Sequence, residues 1–152
     1  MDKITSDRWA ITKVSKFDDD QQYPKYLPGR LTYSNGFHCI FRTYNGDLGI
    51  LTRDLYNIDG GLLSKNLTDT LTAIDKIKQG DPKHLHVPSI QRHLENALEI
   101  LATHIPKASK HIAHVLQLLD ENESSDVWQI EVYRNFYLYI GHAIAHIFGI
   151  HD

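Results

Sequence analysis

Four histidines fall in two pairs at helical spacing, His111 with His114 and His142 with His146. Residues three or four apart share one side of a helix about a turn apart, so each pair sets two imidazoles where both could ligate one metal ion. Nine of the ten histidines lie in the last 69 residues, and His104 stands just before Pro106. If the last two helices form an antiparallel hairpin turning near residue 124, position 111 faces about 137. His142 is then offset by about five residues, or ~7–8 Å at the helical rise. His104 falls opposite about 144, between His142 and His146. The expected metal set is therefore His104, His111, His142 and His146, with zinc or another divalent transition metal as the ion. The plainer reading has no cofactor and no catalytic role: each ring is satisfied separately by a carbonyl, a tyrosine or water. The zinc-protease pattern needs a glutamate directly after the first histidine of such a pair, and Ala143 occupies that place. His84 and His86 fall in a loop and His151 at the chain end, so none is assigned a role.

Arg134 and Asn135 precede His142 on the same helix. An arginine–asparagine pair followed by a helical histidine is similar to the catalytic motif of the HEPN family of helical ribonucleases. That resemblance implies that Arg134 and His142 would act on a scissile phosphate. It spans nine residues, and His142 stands eight places after Arg134, slightly beyond the family's interval, where Tyr139, Ile140 and Gly141 stand instead. The competing role for Arg134 is a salt bridge or a carbonyl contact near Glu131.

Composition bounds the rest. A chain of 152 residues with 41% apolar content suits one domain, burying roughly 68–70% of the surface its unfolded form exposes. Net charge is −3 with neutral histidines, and basic residues are scattered, which makes a nucleic-acid partner unexpected. Protonating every histidine would reverse that sign. The apolar stretch Phe136 to Ile150 is broken by Gly141, His142, His146 and Gly149 and is too short for a membrane span. Charges in Met1 to Trp9 occupy the place of a secretory signal's apolar region, so a cytoplasmic location is the expectation. Cys39 is the only cysteine, which excludes an intrachain disulfide and a cysteine-based zinc ribbon. Its place within Phe37 to Phe41 reads as a buried structural thiol.

The elements that must position these residues change type along the chain. Arg8 to Val14 reads as a strand. Asp18-Asp19-Asp20 reads as a solvated loop, and Pro24, Pro28 and Gly29 discourage pairing. Asn35-Gly36 and Asn45-Gly46 then separate Arg30–Ser34, Phe37–Tyr44 and Asp47–Thr52, which predicts two tight hairpins and a three-stranded meander. Phe37, Cys39 and Phe41 alternate onto one face of it. From about residue 62 the apolar period becomes helical. Leu63, Leu67, Leu71, Ile74 and Ile77 mark a helix to about 79, closed by Gly80-Asp81-Pro82. A second helix starts at Pro88, with Ile90, Leu94, Ala97, Leu98, Leu101 and Ile105 inward, and a third spans about 107 to 121, using Ile112, Val115, Leu116 and Leu119. Asp126 with Gln129 resembles a capping box for the last helix. That helix is apolar on most sides, so it is central in a bundle or forms a homodimer with a second copy.

The fold class is α+β: a short amino-terminal antiparallel meander, residues 1–58, packed on about four helices within 62–152, in a single domain. No phosphate loop, nucleophile elbow or nucleotide fingerprint is present. Eight tyrosines, two tryptophans and acidic segments at 18–20 and 120–126 are materials for a contact surface. The expected function is a non-enzymatic protein-binding module, such as an inhibitor, immunity protein or regulatory adaptor. A histidine-based metal or catalytic protein is the alternative.

Overall fold

The computed structural model describes residues 8–44, 46–58, 63–81, 87–104, 106, 109–122 and 130–150. Within these, only the backbone is described at 87–89, 104, 119, 122, 130 and 131. The fold is α+β, with a five-stranded antiparallel sheet followed by four helices. The chain divides into two compact units, residues 1–62 and 63–152.

In the first unit, β1 (Arg8–Thr12), β4 (Pro28–Ser34), β5 (His38–Thr43), β6 (Gly46–Leu51) and β7 (Leu55–Asn57) form one sheet in the order β6-β5-β4-β1-β7. The expected meander is its β4–β5–β6 portion. β1 adds to the free side of β4, and β7 returns beside β1. Across β1 and β4, the Arg30 guanidinium lies 5.0 Å from the ring centre of Trp9, its register partner. Contrary to expectation, Pro28 and Gly29 are paired, opposite Ile11 and Ala10. Pro28 is the first residue of its strand, where a missing donor is tolerated. Gly29 is needed for closeness: a Cβ there would stand 2.6 Å from the Arg42 carbonyl and 2.7 Å from the Phe41 ring.

Thr12 ties the irregular segment to the sheet. Its Oγ1 donates to the Pro24 carbonyl (2.7 Å) and accepts from the Leu27 amide (2.9 Å). Its carbonyl accepts from the amide of Tyr26, whose φ of 61° turns the chain into β4. The acidic loop is solvated as expected, but short strands β2 (Lys16–Phe17) and β3 (Gln22–Tyr23) flank it.

Alternation in β5 is strict, with Cys39, Phe41 and Thr43 buried and His38, Ile40 and Arg42 exposed. Phe37 departs from the expected inward row because the first hairpin turn sits one residue later than Asn35-Gly36. The Asn35 amide donates to the His38 carbonyl, leaving Gly36, at φ 89°, and Phe37 as the central pair. The Asn35 side-chain oxygen accepts from the amides of Phe37 and His38 and fixes that turn. In the second hairpin Thr43 pairs with Gly46. Asn45 lies outside the described residues.

In the second unit the helices are α1 (Lys65–Lys78), α2 (Val87–His104), α3 (Ser109–Asn122) and α4 (Ile130–Ile147). Ser64 caps α1 by accepting from the Leu67 amide (3.2 Å), and the chain leaves it through Gly80 at φ 77°. Leu67, Leu71, Ile74 and Ile77 are buried along α1, as are Ile90, Leu94, Ala97, Leu98 and Leu101 along α2. Thr70 Oγ1 donates toward the Asn66 carbonyl in its own helix (2.8 Å) and the His93 carbonyl of α2 (3.0 Å), tying the two helices together. On α3, Ile112 and Val115 are buried, but Leu116, expected inward, is 50% exposed. It lies about 100° round the helix from Val115, beyond the covered stripe. The capping box at Asp126 and Gln129, like Ile105, lies outside the described residues. Among the described side chains of α4, Arg134 alone is exposed; Tyr133, Phe136, Tyr137, Ile140, Ala143 and Ile144 are among those buried, and Asn135, Leu138, Tyr139, His142, His146 and Ile147 are partly covered. No helix among the described residues is long and apolar enough to cross a membrane.

Candidate functional site

Two features carry chemistry, one in each unit. In the helical unit, His111 of α3 meets His142 and His146 of α4. Its ring centre stands 4.8 Å from that of His142, with the planes 21° apart and stacked, and 5.3 Å from that of His146, at 32°. The i, i+4 spacing places the two α4 rings on one side, and α3 brings the third against them. The expected axial offset of His111 and His142 does not keep their rings apart. His114 parts from His111 and stacks on Tyr139, with ring centres 4.9 Å apart and planes at 7°. A three-residue step turns about 60° round the helix, enough to separate the two rings. His104 ends α2, and its side chain lies outside the described residues.

Burial, followed by the nearby His142 and His146, pushes His111 down to about 4, so its ring is neutral near pH 7. Among the described residues, no group of three or more His, Cys, Asp or Glu side chains could hold a metal ion. Arg134 is exposed and lies eight residues before His142, ~12 Å along the helix axis. That rise separates the two groups of the ribonuclease-like motif by more than two turns.

The second feature was not legible as a site. The outer face of β5 and β6 carries the register pairs His38 with Leu51, Ile40 with Gly49, and Arg42 with Asp47. Arg42 Nε and Asp47 Oδ1 are 3.2 Å apart. The β2–β3 hairpin approaches this face: the Gln21 side-chain nitrogen lies 4.0 Å from where a Cβ on Gly49 would stand. A cavity of about 450 Å³ there is lined by Val14, Lys16, Tyr23, His38, Leu51 and Asp54, among others. Burial, reinforced by Asp54, raises the Tyr23 phenol, which stays protonated and able to donate. Cys39 faces the other way. Its thiol donates to the Ile50 carbonyl (3.4 Å), and burial raises its pKa, consistent with a structural role.

Four large apolar side chains of this unit are exposed. Phe17 is 72% exposed, Phe37 68%, Val14 46% and Ile40 44%. Phe37 stacks at a tilt on His38, with ring centres 5.4 Å apart, and its carbonyl accepts from the Thr52 amide. Beside Phe17 the acidic loop is held by Asp18, whose side chain accepts from the amides of Asp20 and Gln21 and pairs with Lys16 at 3.3 Å. The Gln21 amide is the main cause holding the Asp18 carboxyl below its ordinary range. The signal available in sequence was His38 and Ile40 at the outward phase of an alternating strand. Knowing that the hairpin lies beside them requires the pairing. No protein-family model, curated protein or solved structure matches the chain.

Proposed function

We propose that this chain is a non-enzymatic binding protein for another protein, in the class of inhibitors, immunity proteins and regulatory adaptors. It meets its partner with the outer face of the amino-terminal sheet. The observation that carries this reading is the exposure of four large apolar side chains in the first unit: Val14, which lines the cavity, Ile40 on the outward row of β5, Phe37 next to His38, and Phe17 of β2. Single exposed apolar residues are ordinary on protein surfaces, whereas a group at one place is what interfaces bury. Covering a phenylalanine fully contributes ~1.5–3 kcal/mol, and aromatic anchors near an interface centre dominate its energetics. Asp18, Asp19 and Asp20 fringe the group with negative charge. The fitting partner presents an apolar centre edged by basic side chains, whose charges raise the association rate and orient the encounter.

The test places a photo-reactive side chain at position 37 and, as a control, at the exposed position 134. The expected result is one protein crosslinked from position 37 and not from 134, which then binds the purified chain. Equal crosslinking from both positions, or none from 37, contradicts the reading.

A further inference from the structure

We infer that the cavity beside His38 takes an arginine side chain of the partner protein, its guanidinium held between the Asp54 carboxylate and the Tyr23 hydroxyl. Both residues line the cavity. Among the described residues, neither the Tyr23 hydroxyl nor the Asp54 carboxylate has a hydrogen-bond or ion-pair partner, although Tyr23 as a whole is only 4% exposed. Polar groups on side chains so covered ordinarily bond to something. The charge of Asp54 acts on the Tyr23 phenol, yet no hydrogen bond joins the two. A donor lying between them can therefore serve both. Lys16 also lines the cavity, but its ammonium is paired with Asp18 at 3.3 Å, which leaves the Asp54 charge uncompensated.

Charge and shape then select the occupant. Asp18, Asp19 and Asp20 join the same β2–β3 hairpin that carries Lys16 and Tyr23, so negative charge exceeds positive there and favours a cation. A guanidinium presents five donors on a planar fork, enough to serve a carboxylate twice and a hydroxyl as well, whereas an ammonium is compact and strongly hydrated. The volume of about 450 Å³ lies within the ~300–1,000 Å³ of ordinary ligand pockets. Val14, 46% exposed, lines the same cavity and gives the methylene stem an apolar wall. This inference rests on the protein-binding reading and adds to it the partner side chain that enters the cavity.

The test titrates the full chain, followed by NMR, with N-acetyl-arginine methylamide and, in parallel, with the same derivatives of lysine, norleucine and glutamate. The expected outcome is a saturable shift of the Tyr23 ring signals and of the Gly49 and Leu51 amides with the arginine derivative, at least ~10-fold tighter than with the other three. Asp54→Asn weakens that binding by ~10–100-fold and Tyr23→Phe by ~3–10-fold, as loss of a charged and of a neutral hydrogen-bond partner implies. Absence of a saturable shift overturns the inference, as does an equal response to any of the other derivatives or undiminished binding by folded Asp54→Asn protein. If the variants do not fold, the comparison of the four derivatives on the unaltered chain decides alone. The probe requires no partner, so the two readings fail separately. A partner crosslinked from position 37 with no arginine response sinks this inference alone; an arginine response with no crosslinked partner sinks the protein-binding reading, and with it the assignment of that arginine to a partner.

Discussion

Gly29 and His111 show how much one position constrains. Backbone from β5 stands 2.6 Å from the place a Cβ on Gly29 would take, and the Phe41 ring closes the other side. A carbonyl locked in a sheet register cannot withdraw as a flexible side chain does. Gly29→Ala is therefore expected to destabilise the protein by about 1–3 kcal/mol, the usual range for overpacking, as read by urea unfolding. His111 titrates near 4 in the folded protein against an ordinary value of 6.5. The folded chain thus holds fewer protons than the unfolded chain between those values, and protons favour unfolding there. The contribution to stability is complete above pH 6.5 and is lost as pH falls through 4. Solvent still reaches this ring, so the loss is on the order of 1–2 kcal/mol, below the full linkage value. Unfolding of metal-free protein from pH 7 to 4 checks this, and His111→Asn is expected to flatten the slope.

At the level of elements, Thr12 and Ser64 do work that burial alone does not. Thr12→Val keeps the shape but removes the donor to Pro24 and leaves the Leu27 amide without its acceptor hydroxyl, an expected cost of about 1–3 kcal/mol. Hydrogen exchange should show faster opening of residues 24–28. Ser64→Ala removes the α1 cap at a cost of about 1 kcal/mol, read by the same unfolding measurement. The helices were legible because a repeating apolar stripe of several turns leaves little ambiguity: the expected 62–79 became Lys65–Lys78 once the capping serine was placed. The strands were less so. β2 and β3 are two residues each, too short for alternation to register. Pro28 and Gly29 carry turn chemistry yet serve a strand start and a close approach. Asn35 supplied the turn's side-chain acceptor rather than its first central residue. The same limit applied to the sites. The His142–His146 pair is local and visible from spacing, whereas its meeting with His111 depends on how α3 packs against α4. The cavity beside His38 depends on two hairpins that only pairing brings together.

Across the whole molecule, charge and apolar surface are unevenly distributed. Nine histidines fall in the last 69 residues, while four of the five exposed large apolar side chains among the described residues belong to the first unit. Replacing an exposed apolar side chain by a polar one usually changes stability by no more than ~0.5 kcal/mol, so Phe37 and Ile40 can be altered without disturbing the fold. The double variant Phe37→Ser, Ile40→Ser is expected to unfold at the same urea concentration as the unaltered chain and to lose its partner. The most direct measurement is the dissociation constant for the partner identified by crosslinking, with both purified proteins, for the unaltered chain and for this variant. A loss of affinity of about 100-fold or more, as removal of two central anchors implies, is the expected result; equal affinity for a normally folded variant would contradict recognition through the outer face of the sheet.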